Sequence, residues 1–178
     1  MAGTDLKHVL YVSELSSEAA SRLPSTMQDI LVTSHDRNKR HEITGFLWSD
    51  GAIFTQVLEG LSSQVDAVFG RIVADPRHRK IRLCLDAPLR SRVFPRWSMC
   101  GMTLSDLDDS LLAPTDIEHD LRSVSPGAIL AMLSRIASAH GEQLDHIHDM
   151  LMAEAIGVQP WPRMPAQAMT SHLVRRKP

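Results

Sequence analysis

Along the first hundred residues, apolar positions recur with two periods, and each switch between them marks a new element. LKHVLYVSEL (6–15) alternates, with Val9, Tyr11 and Ser13 on one face and Leu10 and Val12 on the other. LPSTMQDILVTSHDRNKR (23–40) changes to helical spacing through Met27, Ile30, Leu31 and Ser34, and Ser25 and Gln28 stand as a capping box. ITGFLWSD (43–50) reads as a short strand, and Asp50-Gly51 predicts a two-residue hairpin turn. The chain returns through AIFTQVLEG (52–60), and Ser62 or Ser63 is expected to cap a helix striped by Val65, Val68, Phe69, Ile72 and Val73. KIRLCLDAPL alternates Ile81, Leu83 and Leu85 against Arg82, Cys84 and Asp86, and RWSMCGMTL (96–104) predicts a fifth strand.

The order β-α-β-β-α-β-β predicts an α+β fold, a ferredoxin-like sandwich with a mainly antiparallel sheet and two helices on one face. Residues 1–105 form this domain. Beyond it, SPGAILAMLSRIASAH and GEQLDHIHDMLMAEAIG predict two helices broken at Gly141, the first capped by Ser125 with Pro126 in its first turn. Their apolar stripes, Ile129, Leu130, Leu133 and Ile136, then Leu144, Ile147, Leu151 and Ile156, need a surface: the open face of the sheet or a second subunit. Residues 106–158 are thus a helical cap or relay, and the proline-rich 159–178 an extended tail.

Composition narrows the function classes. The 178 residues are 43% apolar and 22% charged, as in a soluble globular protein, and the formal net charge of −2 gives no general attraction to nucleic acid or anionic membrane. No apolar run is long enough to span a bilayer. The N-terminus enters a strand pattern directly, without a signal peptide, and the two cysteines, Cys84 and Cys100, read as reduced core residues in a cytoplasmic protein. His140, His146 and His148 do not make a metal site, because helical positions two apart point in different directions.

One position breaks the apolar pattern. Gln56 lies between Phe54 and Leu58 on a face that reads as buried, where an unpartnered amide costs about 1–3 kcal/mol. In the sandwich, strands one and three are neighbours, so Tyr11, the only tyrosine, projects beside Gln56, and both groups donate and accept hydrogen bonds. Asn38, near the end of the first long helix, adds a second amide. A cleft lined by these three suits a flat heteroaromatic ligand.

The blocks YVS (11–13), Asn38 followed by ITG (43–45), QVLEG (56–60), RIVADPRH (71–78) and RWSM (96–99) occur in the order and spacing of the BLUF domain, a blue-light sensor module that uses FAD, and residues 6–105 resemble that family. The resemblance implies that Tyr11 is the redox-active tyrosine and Gln56 the switching glutamine beside the flavin. It implies that Asn38 bonds the pyrimidine edge and that Ile72 packs on the ring. Arg37 stands where relatives carry another flavin-directed side chain, and Arg71, Arg77 and His78 stand near the polar edge and phosphates. Trp97 and Met99 match a tryptophan and methionine whose alternative placements are tied to signalling. The basic run RHRKIR (77–82) then reads as a solvated loop with one or two arginines serving cofactor phosphates, rather than a nucleic-acid patch.

The implied mechanism is electron donation by Tyr11 to the excited flavin, proton passage through Gln56, and an altered amide on return, seen as a small red shift. The implied protein is a switch, not an enzyme, with no catalytic residues and no metal, signalling to an unidentified partner protein and expected to be a homo-oligomer. Two other classes stand beside it: a flavin-free ferredoxin-like interaction module, and a small acylphosphatase-like hydrolase, whose arginine loop and phosphate-binding asparagine Arg37 and Asn38 fit poorly.

Overall fold

The computed structural model describes residues 5–103, 121 and 123–155. Strand β1 (Leu6–Leu15) leads through a short helix α1 (Ser17–Ser21) into α2 (Leu23–Arg40). The hairpin β2 (Thr44–Ser49) and β3 (Ile53–Leu61) follows, then α3 (Ser62–Val73), β4 (His78–Pro88) and β5 (Cys100–Thr103). Two further helices are α4 (Pro126–Ala139) and α5 (Gly141–Ala155). The sheet order is β4-β1-β3-β2-β5; β1 runs antiparallel to β3 and β4, β2 antiparallel to β3, and only β5 is parallel to its neighbour. This is the predicted ferredoxin-like sheet with one added edge strand.

Alternation along the strands divides the core into two layers. On one face Val9, Tyr11, Leu47, Phe54 and Leu58 pack under Met27, Ile30 and Leu31 of α2 and Val65 and Val68 of α3. On the other, Leu10, Val12, Phe46, Trp48 and Val57 pack against Ile129, Met132, Leu133 and Ile136 of α4 and Leu144 of α5. The described part of the C-terminal stripes, from Ile129 to Ile147, therefore covers the open face of the sheet. Ile156 and the tail at 159–178 lie outside the described residues.

Several local expectations are corrected. The turn after β2 is not a two-residue one: Asp50 Oδ1 accepts from the N–H groups of Ala52 and Ile53, both at 2.8 Å, and Gly51 takes φ +95°, closing a longer Asx-type turn. Ser25 lies inside the first turn of α2, which has no side-chain cap. Ser62 does not cap α3 either; its hydroxyl bonds Asp5 Oδ1 at 2.7 Å instead. Ser125 does cap α4, accepting the Ala128 N–H, with Pro126 in the first turn as expected. The regular alternation expected of β4 fails because two register shifts interrupt its pairing with β1; Leu83 lies 47% exposed, and Lys80 takes a positive φ of 47°.

Candidate functional site

Tyr11 and Gln56 are directly opposed in the β1–β3 register, so a short cross-strand reach joins them. The Tyr11 hydroxyl donates to Gln56 Oε1 at 2.5 Å, and Gln56 Nε2 donates to Met99 Sδ at 3.1 Å. All three side chains are buried. The out-of-pattern glutamine therefore has a partner at each end of its amide. Burial, then the charge of Asp75, pushes the Tyr11 phenol well above its ordinary pKa, so it stays protonated and holds its proton toward Gln56.

Asn38 faces the same end of the site from the last turn of α2. Its Nδ2 donates to Ser98 O at 3.0 Å, fixing the chain between Trp97 and Met99. The arginine loop of a phosphohydrolase is not formed, since Asn38 is buried and engaged while Arg37 next to it is exposed.

Above Gln56 and Met99, α2 and α3 leave a slot of about 80 Å³ with Ile30, Leu58, Val68 and Ile72 as apolar walls. Arg37, Arg71 and Arg77 stand at its mouth, and His78 lines it from within. A second cavity of about 580 Å³ shares Arg37, Arg71, Asp75 and Arg77 with the slot and runs on past Ser16, Arg22 and Asp29.

The mouth is electrostatically ordered. Arg77 Nε bonds both carboxylate oxygens of Asp75, at 2.9 and 3.0 Å, and its backbone N–H adds a third bond at 2.9 Å. Burial alone would raise the Asp75 carboxyl, but these bonds outweigh it and hold the group below its ordinary value. Arg37 and Arg71 have no carboxylate partner among the described residues. His78 Nδ1 lies 2.8 Å from Ser13 Oγ, and its ring meets Phe54 and the edge of Tyr11. Burial depresses the imidazole to about 4, so it is neutral at physiological pH.

Trp97 is the one predicted site residue that does not join this group. It belongs to the opposite core layer, with Phe94 and Leu144, and its indole Nε1 donates to Asp145 Oδ1 of α5 at 3.0 Å. The expected fifth strand is also shorter: regular pairing begins at Cys100, and a bend at Ser98 sends Trp97 to one side of the sheet and Met99 to the other. Gly45 lets β2 lie close against β3 while it holds this segment by its backbone. Its N–H bonds Trp97 O at 3.2 Å, and a Cβ there would overlap the Val57 carbonyl.

Sequence reasoning passed over Glu59, the acidic residue of QVLEG. Its buried carboxylate accepts the Val93 and Phe94 N–H groups at 3.0 and 2.9 Å, while Arg92 donates to Glu59 O at 2.6 Å and to Thr44 Oγ1 at 2.8 Å. These bonds anchor the loop that delivers Met99 to Gln56. A charge in a strand with buried neighbours was the available signal. His35 was also missed: it is fully buried beneath α5, neither ring nitrogen has a hydrogen-bond partner among the described residues, and it lies edge-on to His148 at 4.7 Å. His148 is thus half-buried, packed against α2.

Comparison with known proteins agrees with this geometry. The family model described as "BLUF: Sensors of blue-light using FAD" matches residues 6–100. The photoactivated adenylate cyclase subunit alpha of Euglena gracilis is 31% identical over 96 residues, which are 54% of this chain but 9% of that protein. The chain thus spans about a tenth of the length of the curated relatives it matches. Among solved structures, the dark state of BlrB, a BLUF protein, is 31% identical with a TM-score of 0.61, covering 77% of this chain and 98% of that one. Klebsiella pneumoniae BlrP1 with FMN and cyclic diGMP shares the fold at 24% identity and a TM-score of 0.56, covering 76% of this chain and 35% of that one.

Proposed function

The chain belongs to the BLUF family of blue-light sensors, and from that premise we propose that it holds its flavin as FAD and signals through the Tyr11–Gln56 hydrogen bond. The Tyr11–Gln56–Met99 chain at the floor of an apolar slot carries this reading. Asn38 and Gln56 present the amide groups that a flavin's polar ring edge requires, and Ile72 offers a face to stack on. Arg37 and Arg71, without carboxylate partners among the described residues, line both the slot and the outer cavity and are suited to phosphate oxygens. That outer cavity has room for a nucleotide half, which favours FAD over FMN.

When bound, flavin supplies blue-light absorption and a strong excited-state oxidant. The remaining events belong to the protein. Tyr11 loses an electron readily only if its proton leaves with it, and Gln56 Oε1 is the acceptor its hydroxyl faces. A neutral His78 beside the ring avoids a positive charge that would oppose that oxidation. Rotation of the Gln56 amide exchanges the ends it presents to Tyr11 and to the slot, and Met99 Sδ, a weak acceptor, resists that rotation only slightly. No substrate is turned over; the protein is a switch. Its output passes to a separate protein partner, and the chain works as a homo-oligomer.

The test is an absorption spectrum before and after blue illumination. Wild type shows a reversible red shift of the flavin band. Tyr11→Phe keeps flavin and loses the shift; an unaltered photocycle in that variant rejects the mechanism.

A further inference from the structure

Trp97 reaches its place on the far side of the sheet through a contact that lies outside the family match. The indole is 4% exposed, so its N–H needs an acceptor inside the protein. Asp145 of α5 supplies one through Oδ1 at 3.0 Å, and its Oδ2 forms an ion pair with Arg96, whose guanidinium also lies over the indole ring at 5.3 Å. On the same helix, the Leu144 carbonyl accepts from Cys100 Sγ at 3.4 Å, and His148 packs on His35 of α2. Helix α5 thus touches α2 three residues from Asn38, and it touches the chain on either side of Met99, at Trp97 and Cys100.

We propose that Asp145 is a positioning residue that holds Trp97 away from the slot and so keeps Met99 against Gln56. The inference rests on the light-sensing reading of the Gln56 site. Trp97 and Met99 are two residues apart, and a regular strand would put both on one face. The bend at Ser98 separates them, and the indole bond to Asp145 rewards the separated arrangement. Without that acceptor the buried N–H is unsatisfied, and the preference for this arrangement over one with Trp97 turned toward the slot falls roughly tenfold or more. Linkage makes the effect reciprocal: a movement of Trp97 toward the slot loosens the docking of α5 by the same factor. Helix α5 is then the element whose seating reports the state of Gln56.

The test is fluorine NMR of the flavin-loaded full chain carrying 5-fluorotryptophan, with Trp97 assigned by Trp97→Phe among the three tryptophans. In the dark, Asp145→Ala displaces the Trp97 resonance, toward the position it takes in illuminated wild type. Arg96→Ala, which removes the ion pair and the guanidinium over the indole but leaves the acceptor, displaces it less than Asp145→Ala does and not toward the illuminated position, and Asp145→Asn, which retains an amide oxygen, keeps it near the wild-type position. An unmoved Trp48 resonance certifies the fold. Should Asp145→Ala move Trp48 too, Asp145→Leu, which fills the space without an acceptor, carries the same expectation. A Trp97 resonance unchanged on loss of the acceptor, or displaced equally by Arg96→Ala, overturns the proposal. Failure of the light-sensing reading shows separately, as a wild-type chain whose flavin band does not shift, and leaves the dark comparison of these variants intact.

Discussion

The two faces of the sheet are built from the same strands but do opposite things. Under α4 and α5, Phe46, Val57, Ile129, Leu133 and Ile136 close into a continuous apolar layer. Under α2 and α3, the equivalent layer is interrupted by Gln56, Asn38 and a slot. One face is filled for stability; the other is left short of atoms and furnished with amides. The segment from Trp97 to Met99 is where the faces communicate, because it sends one side chain into each. A ligand site is thus recognised here by missing packing beside satisfied polar groups, rather than by charge.

Matched truncations test that contrast most severely. Leu133→Ala, fully buried in the filled face, should cost about 2–5 kcal/mol of unfolding free energy. Ile30→Ala, beside existing space on the slot face, should cost less than about 2 kcal/mol and show mainly as weakened flavin retention. Urea denaturation of both variants measures the difference, and equal losses would erase the distinction between the faces.

A smaller effect follows from His78. Its folded-state pKa is about 4 against 6.5 for the free side chain. The unfolded chain therefore binds the extra proton first as pH falls, and stability decreases between about 6.5 and 4, then levels off. The contribution is fully present above 6.5 and its loss is at most roughly 3 kcal/mol. Comparing the pH dependence of unfolding for wild type and His78→Gln cancels the titration of the other groups. Parallel curves would mean that the imidazole is not buried as described.

Glu59→Gln should have the smallest effect of the three. The amide retains one acceptor oxygen where the carboxylate offers two, so about 1 kcal/mol is lost. Amide exchange at Val93 or Phe94 should quicken while the filled face stays protected. Unaltered exchange at both would show that Glu59 does not anchor this loop.

Much of this arrangement was legible in the sequence, for definite reasons. Strand alternation placed Tyr11 and Gln56 on inward faces, and the βαββαβ order made their strands neighbours; together these put the phenol against the amide. Ser125 and Pro126 announced the start of α4 because both act within one turn. The helix α1 was not legible, since it is only five residues long. The side taken by Trp97 depends on an acceptor 48 residues away, which no local period encodes. The failed alternation of β4 comes from its register shifts against β1, again a property of the pair rather than of either segment.

If Gln56 is the switch, light changes the hydrogen bond it makes to the flavin. A light-minus-dark infrared difference spectrum of the flavin-loaded protein tests it most directly, through the flavin carbonyl stretch facing Gln56. The account predicts a downshift of that band on illumination in wild type and none in Gln56→Leu. A carbonyl band that does not move in wild type, or that moves equally in Gln56→Leu, would contradict it.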